Sequence, residues 1–97
     1  PGEALKDYQQ AINILSNFYG ENHPKIAVYY SNKGAAFDTL GKTEEALEAC
    51  KKALKIRQDM YGESHPDVAA SYASVGVMLQ KLGKTEEGTK FLQKASQ

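Results

Sequence analysis

The sequence predicts an all-α solenoid of antiparallel helix pairs, and three observations carry that prediction. Shifting the 97-residue chain on itself by 42 positions superposes Tyr19-Gly20-Glu21-Asn22-His23-Pro24 on Tyr61-Gly62-Glu63-Ser64-His65-Pro66, and Leu40-Gly41-Lys42-Thr43-Glu44-Glu45 on Leu82-Gly83-Lys84-Thr85-Glu86-Glu87. Of the 55 overlapped pairs 21 are identical, and a fixed period of this size marks a stacked array. Glycine, proline and threonine punctuate each period at the same two places, and between them the apolar residues recur at helical spacing.

The elements follow in order. A first helix is expected near 3–19, with the stripe Ala4, Leu5, Tyr8, Ala11, Ile12, and Gly20 closing it as a left-handed C′ residue. A second is expected near 24–40, opened by Pro24 in its first turn. Its two stripes, Ala27, Tyr30, Gly34, Phe37 and Tyr29, Lys33, Ala36, Leu40, cover two of three faces, so it lies between neighbours. Gly41 then ends that helix and Thr43 is expected to N-cap a third, near 43–61, with Glu44 and Glu45 in a first turn that favours negative charge. One stripe, Ala46, Leu47, Cys50, Ala53, Leu54, leaves that helix an outer face carrying Glu48, Lys51, Lys52 and Lys55. A fourth, near 66–82, repeats the second with Ala69, Tyr72, Gly76, Leu79 and Ser71, Val75, Met78, Leu82. A fifth is expected near 85–96, capped by Thr85. Inner and outer helices thus alternate.

Composition narrows the function. Twelve Lys and Arg balance twelve Asp and Glu, removing the electrostatic footprint of a nucleic-acid or anionic-membrane binder. With 41% apolar and 25% charged residues the chain is ordinary globular material, a single domain over 1–97. No apolar run approaches the ~18 residues of a membrane span. A chain that starts Pro-Gly-Glu reads as a trimmed segment. Its lone Cys50 cannot pair internally, which favours a reducing, cytoplasmic setting.

A small residue midway along the inner helix (Gly34 or Gly76), Phe37 or Leu79 three residues on, Leu-Gly, then Ala46 and Ala53 seven apart together resemble the tetratricopeptide repeat. The resemblance covers the whole chain as a half repeat (1–23), a full repeat (24–65) and a shortened one (66–97), and it implies a right-handed superhelix. The usual period is about 34 residues. Here the second helix and the Gly-Glu-x-His-Pro connection are longer, which is similar to the kinesin-light-chain subclass. Against the family pattern, Tyr30 and Tyr72 stand where Trp is common, Lys33 fills a usually apolar site, and Gly88-Thr89 replace Ala46-Leu47. The last departure is expected to weaken the fifth helix and leave it the most frayed.

No constellation points to catalysis, to a metal or to a cofactor. His23 and His65 each precede Pro in equivalent connections, with no Cys or Asp cluster at ligand spacing, and read as residues that fix a helix start. Cys50 sits on an apolar stripe as a buried thiol. Gly-Lys-Thr lacks the upstream Gly and strand of a phosphate loop. The adjacent glutamates diverge by about 100° around a helix and are solvated. Tyr30 and Tyr72 fall among core positions, not on a base-stacking platform.

Subtracting the buried stripes from the inner helices leaves a third. It holds Val28, Ser31, Asn32, Ala35, Asp38, Thr39 in one repeat and Ala70, Ala73, Ser74, Val77, Gln80, Lys81 in the next. By resemblance these are the concave, ligand-facing positions. Small and mostly uncharged, they suit an extended peptide or a helix of a protein partner, with Asn32 able to donate to and accept from a peptide backbone. Only Lys81 is basic and Asp38 opposes it, which disfavours capture of acidic tails. The competing expectation is self-association, because array ends carrying Tyr8, Ile12, Leu15 and Phe91, Leu92 are apolar.

Overall fold

The structure, a computed structural model, describes residues 2–96. Five helices follow one another: α1 (Gly2–Tyr19), α2 (Pro24–Thr39), α3 (Thr43–Tyr61), α4 (Pro66–Lys81) and α5 (Thr85–Ala95). Each packs on the next in sequence, giving a flat stack of 37 × 31 × 14 Å. The expected boundaries hold within about a residue, α2, α4 and α5 each ending one residue early.

The connections are built twice. After α2, Leu40 caps, Gly41 takes φ +77°, and the amides of Gly41 and Lys42 donate back to Asp38 O (3.0 Å) and Phe37 O (2.8 Å). This is a Schellman motif, and Gly83 (φ +84°) and Lys84 repeat it after α4. The tight turn corrects the expected caps. Lys42 and Lys84 occupy the N-cap positions without a side-chain bond, and Thr43 and Thr85 are already inside α3 and α5. With the turn this short, Lys42 both finishes one helix and offers its carbonyl to Ala46 N (2.9 Å), so no residue is left between them to cap.

At the longer connection the histidines do cap. His23 Nδ1 accepts from Lys25 N (3.1 Å) and His65 Nδ1 from Asp67 N (3.0 Å). Pro24 and Pro66, whose missing N–H costs nothing in the first turn, follow them. The rings rest on the preceding helix ends, His23 against Tyr19 (4.6 Å between centroids) and His65 on Tyr61 (4.2 Å).

Packing differs from the single-stripe expectation for α3. Leu47, Cys50 and Leu54 join Val68, Tyr72, Val75, Met78 and Leu79 in one core cluster. Ile56 joins Ile12, Ile26 and Ala27 in another. A helix in the middle of a linear stack has a neighbour on either side, so α3 buries two faces and keeps a strip with Glu48, Lys51, Lys52 and Lys55 in water. Ile26 and Val68, absent from the expected stripes, are among the most buried side chains, each such burial contributing roughly 1.5–3 kcal/mol. Leu40, expected in a stripe, is exposed, and Tyr29, Lys33 and Ala36 are half-buried.

Glycines set the helix spacing. A Cβ on Gly34 would lie 2.7 Å from Cys50 Sγ, and one on Gly76 would lie 2.9 Å from Gly88 O. Gly88, whose lack of a side chain is expected to weaken α5, also lets the backbones of α4 and α5 approach closely: a Cβ there would meet Gly76 O at 2.7 Å. The lost Ala side chain is replaced by backbone contact between α4 and α5.

Candidate functional site

Between α2 and α4 lies an open groove of about 320 Å³. Its walls are Ser31, Ala35 and Asp38 from α2 and Ala73, Ser74 and Val77 from α4, all on the stripe identified in sequence. Its floor is Gly34, Cys50 and Met78, which sequence reasoning assigned to the core alone. They reach the groove because small residues above them leave the floor uncovered; the paired signal was the mid-helix glycine opposite a small residue. Burial, and then the nearby Asp38 charge, pushes the Cys50 thiol above its ordinary range, so it stands at the floor as a neutral thiol.

The other expected positions flank this lining. Val28 and Ala70 lie exposed on the N-terminal turns of α2 and α4. Asn32 is half-buried beside Ser31 but outside the lining. Thr39 is exposed, its hydroxyl donating to Ala35 O (3.0 Å), as Ser74 donates to Ala70 O (3.2 Å). Gln80 turns toward α5, with its Cγ at the place a Cβ of Gly88 would need.

Lys81 and Asp38 meet directly. Lys81 Nζ donates to both Asp38 carboxylate oxygens at 2.8 Å, tying α4 to α2 across the stack. The pair cancels the only charges among the expected groove residues, leaving a neutral surface of methyl, hydroxyl and thiol groups. Half-open to water, it contributes little stability by itself, on the order of 0–1 kcal/mol.

Two helix pairs in phase, glycines at the crossings and a groove along the inner helices are the features of a repeat array. A family model described as Tetratricopeptide repeat matches residues 1–59 and again residues 40–97. The chain belongs to the tetratricopeptide repeat family. No curated protein matches it. Repeats of this family generally serve as protein-interaction modules. Among the described residues no helix is long and apolar enough to cross a membrane.

Proposed function

We propose that this tetratricopeptide segment is a non-catalytic adaptor or scaffold module whose α2–α4 groove holds an extended peptide or a helix of a partner protein. The observation that carries the reading is the convergence of Ser31, Ala35, Ala73, Ser74 and Val77 on one groove whose charges, Asp38 and Lys81, neutralise each other. Such a surface has no cation free for an acidic tail, and it favours neutral side chains that bury apolar area against Val77 and Met78 while bonding to hydroxyls. The 42-residue period and the 19-residue α3 support placing the chain in the kinesin-light-chain-like subclass, with a cytoplasmic cargo or signalling partner.

Selection of a random peptide library on the chain tests this, with Ala35→Arg plus Val77→Glu as counter-target. Both positions are exposed, so the helical circular dichroism spectrum stays unchanged. The expected yield is peptides of low net charge that bind the wild type and not the variant. Peptides that bind both equally contradict the groove.

A second reading, self-association, has its own observation. Ile14 is 52% exposed and Phe18 80%, whereas Ile56, 42 positions after Ile14, is 7% exposed under α2. The first helix therefore shows an apolar face that its counterpart covers with an inner helix. Sedimentation over a range of concentrations separates the readings: a monomer throughout removes the second.

A further inference from the structure

The two repeats share a tyrosine and a glutamate but not the group between them. In the second, Gln58 Nε2 donates to the Tyr72 hydroxyl (2.7 Å) and to Glu63 Oε1 (3.1 Å), while the Tyr72 hydroxyl donates to Glu63 Oε2 (2.6 Å). One carboxamide thus closes a three-member network at the root of the Gly-Glu-Ser-His-Pro connection. Forty-two positions earlier the tyrosine is Tyr30, the glutamate Glu21, and the glutamine is replaced by Ser16.

A serine is too short to bridge. Among the described residues, Ser16, Glu21 and Tyr30 make no side-chain hydrogen bonds to one another. They line a cavity of about 230 Å³, with Ile26 and Ile56 reaching its wall and Lys52 at its side. That volume is below the range of about 300–1,000 Å³ typical of small-molecule sites and is large enough to admit a side chain. None of these residues lines the α2–α4 groove.

We propose that this cavity is a second binding site, a slot for one carboxamide side chain, Gln or Asn, presented by a protein partner. The chemistry follows from the internal copy. The group that satisfies a tyrosine hydroxyl and a carboxylate together is a nitrogen with two hydrogens, and a primary amide supplies it without charge. An ammonium or guanidinium would do the same bonding but meet Lys52 and Lys55 at the same cavity, and a carboxylate would meet Glu21. Lys52 lies over the Tyr30 ring, 5.3 Å from its centroid, as Lys94 lies over Tyr72 at 5.4 Å. A lysine thus faces the ring in both copies; beside it Tyr30 has Lys33 where Tyr72 has Phe91, and at the hydroxyl the difference is the bridging amide.

The experiment has two arms. Ser16→Gln supplies the amide from the chain itself, and the melting temperature is expected to rise by about 4 °C. In a Tyr30→Phe background the rise is expected to disappear, which separates bridging from any helix preference for Gln. In the second arm the chain is titrated with N-acetyl-glutamine N-methylamide, and with the glutamate and lysine analogues, while amide shifts are followed by NMR. Saturable shifts around Glu21 and Tyr30, largest for the glutamine derivative and lost in Ser16→Gln, are expected. A stabilisation that is absent or independent of Tyr30 overturns the proposal. So does a glutamine derivative that causes no saturable shift up to its solubility, or that is outperformed by the charged analogues.

Discussion

Lys33 shows how a residue that breaks the repeat pattern is accommodated. Its second-repeat counterpart is Val75, and Ala49 on α3 corresponds to Phe91 on α5, which packs against the cluster holding Val75 and sits 5.9 Å from Tyr72. The first repeat exchanges a small and a large residue for a long and a tiny one. Lys33 and Ala49 line one shallow cavity, and the Lys33 ammonium donates to Gln9 Oε1 at 2.5 Å while facing the rings of Tyr30 and Phe37. Burial, then the Lys52 charge, lowers its pKa. Transplanting the second repeat's pair, Lys33→Val with Ala49→Phe, is predicted to be more stable than the sum of the two single changes by about 1 kcal/mol, measurable by denaturant unfolding of all four proteins. Tyr72 carries a pH prediction. Its hydrogen bond to Glu63, then burial, raises the hydroxyl above its ordinary value of 10.0. The folded state therefore holds the proton more tightly, so this contribution is complete below pH 10 and is lost as pH rises through the folded-state value. Melting curves from pH 8 to 11 are expected to fall less steeply for Tyr72→Phe than for the wild type.

Helix pairs are held apart or together by single atoms. Gly76→Ala gains about 1 kcal/mol of helix propensity but drives a methyl into Gly88 O and Leu92, so it is predicted to be net destabilising by about 1–3 kcal/mol. Gly34→Ala meets the Cys50 sulfur first, and Cys50→Ala removes it. The double variant is thus predicted to be more stable than the two losses added together, as thermal unfolding will show. Protection should follow the same logic. α1 and α5 each have one neighbour, whereas α2, α3 and α4 have two, so hydrogen exchange is expected to be slowest in the three middle helices and fastest in α5, the shortest helix. The number and order of helices were legible because Gly, Pro and apolar spacing are local signals. The caps were not: Thr43 looks like an N-cap until the three-residue turn Leu40-Gly41-Lys42 is built, and where a turn hands over to the next helix is a three-dimensional quantity. Ile26 and Val68 were missed for a related reason. They continue the stripes Tyr29-Lys33-Ala36 and Ser71-Val75-Met78 by one step toward the helix start, and their burial depends on the neighbouring helix reaching over that first turn.

Along the whole molecule most charges lie on the outer helices and the helix starts, with Lys33 an exception on α2, while the inner groove retains one neutralised pair. The stripe of candidate residues was legible from periodicity; which of them converge was not. Ser31, Ala35, Asp38, Ala73, Ser74 and Val77 share the groove because α2 and α4 lie alongside, whereas Asn32 and Gln80, equally plausible on a helical wheel, face the groove's flank and α5. The proposed partner lies in this groove. Chemical-shift mapping of the isotope-labelled chain with a library-selected peptide tests it most directly. Perturbations concentrated at Ser31, Ala35, Ala73, Ser74 and Val77 are predicted. Perturbations confined to Ile14, Phe18 and the outer strip of α3 would contradict it.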